Sequence, residues 1–332
     1  MMATVRDPRK LALDREFMAA AAAMAEMGIA QKVCAIGDID GRRQGLKEMF
    51  GIIGKMLPAM PDVTQTKHTV PTPDGSNIAL LEFRKGPRPQ TSEPVIYHIH
   101  GGGMIAGSID EFAPFLAVKV GQSGLTHFSI DYRLAPEHKH PIPINDAYAG
   151  LQWLSEHAAE LGVDPARIIV SGESAGGGLA AGTVLMARDK KLSPPIAAQQ
   201  LIYPMLDDRN QTPFPEIEPF ATWKNADNIT GWGALLGNAS GSEGEVEGHE
   251  YAAPARAGDL KGLPPTYIDV GQLDIFAPED ILFSQRLVKF GVPTEFHLYP
   301  GLPHGFESAG ENVQLVKQAM ANRSRWLAEF VQ

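Results

Sequence analysis

Arg167-Ile-Ile-Val-Ser-Gly-Glu-Ser-Ala-Gly176 is the stretch on which the reading of this chain turns. Ile168–Gly172 opens with a β-branched apolar run, and Ala175–Arg188 is rich in alanine and glycine and free of proline. A strand therefore passes into a helix within a few residues, across Gly172-Glu173-Ser174-Ala175-Gly176. A reversal that sharp strains the backbone of its central residue and brings the flanking chain close, so glycine is required two residues to either side. The Ser174 hydroxyl then stands at a helix N-terminus, where unpaired N–H groups and the helix dipole favour negative charge. A serine on a G-x-S-x-G turn in this context is set up as a nucleophile. The alternative is a chance Gly/Ser turn, and the surrounding sequence has to decide between them.

On both sides of this turn, apolar runs alternate with helical patterns from about residue 64 onward. Strands are expected at Thr64–Val70, Asn77–Phe83, Val95–His100, Leu125–Ile130, Ile168–Gly172, Ala197–Ile202, Thr266–Val270 and Thr294–Leu298. Helices are expected at Ile144–Leu161, Ala175–Arg188, Glu279–Phe290 and Glu311–Phe330. Such alternation predicts an α/β fold with a mostly parallel sheet flanked by helices. The first two strands are joined only by a turn around Pro73-Asp74-Gly75, which predicts an antiparallel hairpin at one edge. Two segments break the alternation. Residues 1–58 look helical and precede the sheet, and residues 208–250 interrupt it, beginning with Pro213, Pro215 and Pro219 and ending in the Gly/Ser/Glu-rich Asn238–Glu250. Insertions of this length are usually lids or binding loops. The two segments are expected to join as a helical cap, over a core made of residues 59–207 and 251–332.

The whole chain bounds the chemistry. Its 332 residues, 44% hydrophobic and 20% charged, make a globular protein with a large core. A net charge of −10 argues against nucleic acid and against an anionic membrane surface as partners. Cys34 is the only cysteine, so no intrachain disulfide forms and the fold does not depend on an oxidising compartment. The Ala- and Met-rich Phe17–Ala30 resembles a secretory signal superficially, but Asp14, Arg15 and Glu16 precede it and Glu26 interrupts it. No run approaches the roughly 18–20 apolar residues that span a bilayer. The expectation is a cytoplasmic protein without a membrane span.

Three further motifs support the nucleophile. His100-Gly101-Gly102-Gly103 follows a strand, and its glycines leave backbone N–H groups unshielded, as an acyl-transfer site needs where a carbonyl oxygen becomes an oxyanion. The N–H groups of Gly102, Gly103 and Ala175 are assigned to that hole. The alternative is a phosphate cradle, but neither Gly-Lys-Ser/Thr nor G-x-G-x-x-G follows. Asp274 lies just beyond the run Thr266–Val270, and His304 just beyond the run ending at Tyr299-Pro300. The order Ser174, Asp274, His304 is that of an α/β-hydrolase triad, with His304 as the base and Asp274 holding its tautomer. Asp269 and Asp280 are competitors, one inside a strand and the other inside a helix. The pairs His98-x-His100 and His138-x-His140 lack an accompanying carboxylate motif, so no metal and no other cofactor is expected.

The set His100–Gly103, Asp131-Tyr-Arg-Leu-Ala-Pro-Glu137, Gly172–Gly176, Tyr203-Pro204, Asp274 and His304 resembles the hormone-sensitive lipase family of α/β-hydrolases, in its microbial carboxylesterase branch. The resemblance runs from about residue 64 to the C-terminus. It implies an eight-stranded sheet, a cap from the N-terminus and the insertion, the triad and oxyanion donors named above, and a homodimer. It makes Asp131–Glu137 a structural loop beneath the site and His100 an orienting residue. Two departures stand out: Glu173 precedes the serine where the family carries Asp or Thr, and Pro278 stands four residues after Asp274 in place of an acid. The expected reaction is hydrolysis of small esters of short to medium acyl chain, with Met104, Phe214, Phe220 and Trp223 lining the pocket and Trp232 helping to narrow it. A lactonase, amidase or arylformamidase would use the same triad. A non-catalytic binding protein on this scaffold would have lost the histidine, which is present here.

Overall fold

The computed structural model describes residues 10–29, 32–242 and 247–331. Expectations for residues 1–9, for Ala30 and for positions 243–246 of the insertion lie outside the described residues. Two helices come first, α1 (Arg15–Glu26) and α2 (Ile39–Met56). A hairpin follows, β1 (Val63–Pro71) and β2 (Asn77–Lys85), and then β3 (Glu93–Ile99), α3 (Ile109–Ser123), β4 (Thr126–Ile130), α4 (Ile142–Glu156) and the short α5 (Ala158–Leu161). The serine turn joins β5 (Val163–Glu173) to α6 (Ala175–Asp189), and β6 (Ala198–Ile202) leads into the insertion, which carries α7 (Asn225–Leu236) and ends at the short α8 (His249–Ala252). The chain closes with β7 (Thr266–Gly271), α9 (Ala277–Lys289), β8 (Thr294–Tyr299) and α10 (Gln314–Val331).

The eight strands form one sheet in the order β1-β2-β4-β3-β5-β6-β7-β8. The β1–β2 and β2–β4 pairs are antiparallel and the remaining pairs parallel. Alternation along the central strands sorts the core into two layers. Val95, Tyr97, Ile99, Ile168 and Val170 face one side with Leu151 of α4, Leu179 of α6 and Phe283 of α9. Ile96, Ile169 and Tyr267 face the other, against Phe17 of α1 and Val316 and Trp326 of α10. Fold class and hairpin agree with the sequence reading. The helix expected at Ile144–Leu161 is split at His157, whose Nδ1–H donates to Trp153 O (2.9 Å).

One helix, α3, is absent from the expectations. Pro114 lies inside it and argues against a helix locally. Tertiary burial of Phe112, Leu116 and Val120 at four-residue spacing outweighs that cost, Ser108 Oγ caps the Glu111 N–H at 3.3 Å, and Gly124 ends the helix in a left-handed conformation.

Candidate active site

The sheet register delivers the site. Ile99 stands opposite Gly172, so the ends of β3 and β5 bring the glycine loop and the serine turn to one place. Gly271 stands opposite Tyr299, so β7 and β8 release the segments carrying Asp274 and His304 side by side. All four lie beyond the C-terminal ends of parallel strands, where open α/β sheets place their ligands.

Ser174 has φ +59° and ψ −124°, a conformation that costs on the order of 1–3 kcal/mol. Its N–H donates to Ile202 O (2.9 Å), and its carbonyl accepts the N–H groups of Met205 (2.9 Å) and Gly178 (3.0 Å). Both glycines of the motif are sterically required: a Cβ on Gly172 would lie 2.2 Å from Gly176 O, and one on Gly176 would lie 2.1 Å from Ile99 O. Ser174 Oγ and His304 Nε2 are 2.9 Å apart, and His304 Nδ1 is 2.6 Å from Asp274 Oδ2. A carboxylate only accepts, so Nδ1 carries the proton and Nε2 is left to accept from the serine. Asp274 is fully buried, and its other oxygen accepts the Phe276 N–H at 3.0 Å. The imidazole is boxed edge-on by Tyr203 (4.5 Å between centroids) and Phe276 (5.2 Å), and Thr222 Oγ1 donates to the His304 carbonyl at 2.6 Å.

The glycine loop runs against the serine: a Cβ on Gly101 would lie 3.3 Å from Ser174 Cβ. Gly102, Gly103 and Met104 have φ of +120°, +62° and +61°. A Cβ on Gly102 would collide with Ala106 O (2.0 Å), and one on Gly103 with the Trp223 ring (2.5 Å). Met104 has no such exemption, and its left-handed backbone costs about 1–2 kcal/mol.

The four residues expected to line the pocket go to different places. Trp223 lies between Gly103 and His304, 6.5 Å from the imidazole centroid, and its indole N–H has no acceptor among the described residues. Met104 is fully buried in the core. Phe214 lines a recess of about 300 Å³ with Asn210, Leu282 and Arg286, a recess that Ser174, Asp274 and His304 do not line. Phe220 is half-buried on a turn closed by its own N–H to Ile217 O (2.8 Å). Trp232 is wholly buried.

Of the residues that competed for these roles, Asp269, His98 and His100 are held in structural contacts, and the Asp280 carboxyl has no hydrogen-bond partner among the described residues. Asp269 accepts from Arg323 at 2.7 and 2.9 Å and from the Tyr267 hydroxyl at 3.0 Å. Asp280 is fully buried in α9, and burial pushes its carboxyl well above the usual range. His98 pairs with Ser129 Oγ (2.9 Å) and with the Glu173 carboxylate (3.0 and 3.1 Å). Burial works to raise the Glu173 pKa, but His98 and Lys119 outweigh it and hold the group down to about 2. His100 stacks on Tyr132 at 4.3 Å, its Nδ1 bonded to Gly101 O (2.8 Å), and burial lowers its pKa. Thr222 and Phe276 carry no sequence signal, since their roles follow only from where the folded chain brings them.

Residues 96–308 match the protein family described by the alpha/beta hydrolase fold. The chain is 36% identical over 280 residues to the esterase LipI of Mycobacterium tuberculosis, covering 81% of either protein. It belongs to the hormone-sensitive lipase-like family of α/β-hydrolases. The carboxylesterase NlhH of the same organism is 34% identical to this hydrolase over 255 residues, 68% of this chain and 74% of that one. Among solved structures, a bacterial heroin esterase superposes on the hydrolase with a TM-score of 0.86 at 34% identity, covering 96% of this chain and 98% of the other.

Proposed function

We propose that this carboxylic ester hydrolase works through Ser174, His304 and Asp274, with Gly102, Gly103 and Ala175 as the oxyanion donors. The unbroken chain of contacts Ser174 Oγ–His304 Nε2 (2.9 Å) and His304 Nδ1–Asp274 Oδ2 (2.6 Å) carries the reading. Ser174 Oγ attacks the ester carbonyl carbon as its proton passes to Nε2, and the carbonyl oxygen takes up the charge facing the loop N–H groups. Collapse breaks the ester C–O bond, and the departing alkoxide takes the proton from Nε2. Water, deprotonated by the same nitrogen, attacks the acyl carbon; the Ser174 Oγ–acyl bond then breaks, Oγ takes the proton back from Nε2, and the acid leaves. Asp274 holds the tautomer and stabilises the imidazolium throughout.

The substrates of this reading are small esters of short to medium acyl chain, because Trp223 stands over Gly103 and His304 where a longer chain would need room. Helix α2 and the insertion of residues 208–250 act together as the cap, and the contact of the Gly37 N–H with Thr230 Oγ1 (3.0 Å) supports that pairing, whereas α1, from the same expected segment 1–58, packs with α10 on the sheet. The homodimer implied by the family resemblance, and a cytoplasmic location suited to a single buried thiol, belong to the same reading. No helix among the described residues is long and apolar enough to cross a membrane.

The test is a hydrolysis screen over acyl esters of increasing length, lactones, amides and N-formyl arylamines, with Ser174→Ala as control. Short to medium esters are expected to turn over fastest, and Ser174→Ala to cost about 10⁴-fold or more. Retention of more than about a hundredth of wild-type turnover would remove Ser174 from the mechanism.

A further inference from the structure

The loop Gly102-Gly103-Met104 holds three consecutive left-handed residues, and strained backbone persists only where the surroundings over-determine it. Part of what holds it comes from outside the sheet. Arg43, on α2, donates through Nε to Ile105 O at 2.7 Å and through Nη2 to Ala135 O at 3.1 Å. The Ala135 N–H in turn donates to Met104 O at 2.9 Å. One guanidinium therefore grips both the glycine loop and the segment fastened to it. Glu137 accepts from Arg43 Nη1 and Nη2, each at 2.7 Å, and sets the plane of the fork.

The neighbouring Arg42 points the other way. Its Nε donates to Asp227 Oδ1 of α7 at 2.8 Å, with both groups buried, while its other nitrogens reach Ala35 O (2.7 Å), Asp38 O (2.9 Å) and Cys34 O (3.3 Å). Asp227 also accepts the Lys224 N–H at 2.9 Å. Further along α7, Gly231 lies so near the glycine loop that a Cβ there would be 2.8 Å from Gly103 O.

We propose that Arg43 is a positioning residue for the oxyanion donors, and that with Arg42 it makes α2 a strut setting the glycine loop and the insertion helix in one geometry. A role in stability alone does not account for the arrangement. The Arg43 and Glu137 side chains are 32% and 54% exposed, and ion pairs that open to water contribute little to folding. The atom gripped is two residues from Gly103, where small displacements of an N–H change the alignment with the oxyanion. The strut belongs to the transition state more than to the ground state.

The experiment is Arg43→Met, which keeps most of the stem, with Arg43→Lys and Glu137→Gln beside it. The readouts are kcat and KM on a short p-nitrophenyl ester, the inhibition constant of an alkyl boronic acid, and Tm. Since deleting one oxyanion donor outright costs 10²–10³-fold, displacing the donors is expected to lower kcat about 10- to 100-fold. KM should stay within about threefold and boronic acid affinity should fall by the same factor as kcat, because only transition-state stabilisation is lost. Glu137→Gln, which leaves the guanidinium in place, should lose less than Arg43→Met. A kcat within about twofold of wild type, or a lower kcat with unchanged boronic acid affinity, overturns the proposal. Should Arg43→Met not fold, Arg43→Lys decides: one ammonium cannot replace the fork on Ile105 O and Ala135 O, so parallel losses are expected and wild-type values overturn it. The proposal rests on the oxyanion assignment, and the two fail differently. Boronic acid affinity that Gly103→Ala weakens establishes the donors whatever Arg43→Met does, and affinity unchanged by Gly103→Ala removes the oxyanion assignment itself.

Discussion

Gly103 is pressed by its own backbone and by the insertion at once. Its φ is +62°, and a Cβ would stand 2.5 and 2.8 Å from two atoms of the Trp223 indole. An alanine must either push the indole or turn the N–H proposed to face the oxyanion, so Gly103→Ala is expected to lower kcat/KM by about 100-fold. Adding Trp223→Leu removes the obstacle and leaves the left-handed backbone cost of about 1–2 kcal/mol, so the double variant should recover most of the loss. A double-mutant cycle checks this, and strictly additive losses would mean that the indole does not restrain the loop. The glycines, and the meeting of Ser174, His304 and Asp274, were legible in sequence because each lies just beyond a strand end. The pairing of Trp223 with Gly103, and of Thr222 with the His304 carbonyl 82 positions on, was not, because it depends on the path of a long insertion through space.

β3 and β5 are joined by more than their ladder. Glu173, the last residue of β5, and His98, on β3, form a buried pair beside Ser174, with Lys119 of α3 at 4.0 Å. The Glu173 pKa stands at about 2 against an ordinary 4.5. A depressed carboxyl stabilises the fold above its unfolded pKa, and that contribution is lost as pH falls from about 4.5 toward 2. Glu173→Gln should therefore be less stable than wild type at neutral pH and lose less on acidification, as followed by urea unfolding at stepped pH. Identical slopes in the two proteins would show that Glu173 titrates alike folded and unfolded. The same pair shows where sequence reading of elements stopped. His98-x-His100 was identifiable as a strand-end pattern, but its partner lies 75 residues away. Strands and hairpin were legible because alternation and turn chemistry are local, whereas α3 was hidden by Pro114 and needed the burial of Phe112, Leu116 and Val120 to be seen.

Both ends of the described chain close one face of the sheet. Phe17 of α1 and Val316, Ala319 and Trp326 of α10 cover Ile96, Ile169, Ala198 and Tyr267. The ends are also tied together, with the Asp14 N–H donating to Gly301 O (2.9 Å) and the Gln314 N–H to Glu16 Oε2 (2.7 Å). Within this layer Arg323 reaches down from α10 to the fully buried Asp269 on β7, at 2.7 and 2.9 Å. Taking both charges out of water is costly, so the pair adds little net stability, but removing one partner strands the other. Arg323→Met is expected to destabilise the molecule by about 3–5 kcal/mol, and adding Asp269→Asn should return a large part of it, because no buried charge is then left unpaired. Urea unfolding of the two variants separates this from loss of packing, which would leave the double variant no better than the single. Activity supplies the second arm. Asp274 leaves the same strand five residues on, yet it is held by its own bonds to Phe276 and His304, so kcat per folded molecule should stay within a few-fold of wild type. A collapse of kcat in folded Arg323→Met would mean that the α10 face sets the geometry of the acid as well as the stability of the fold.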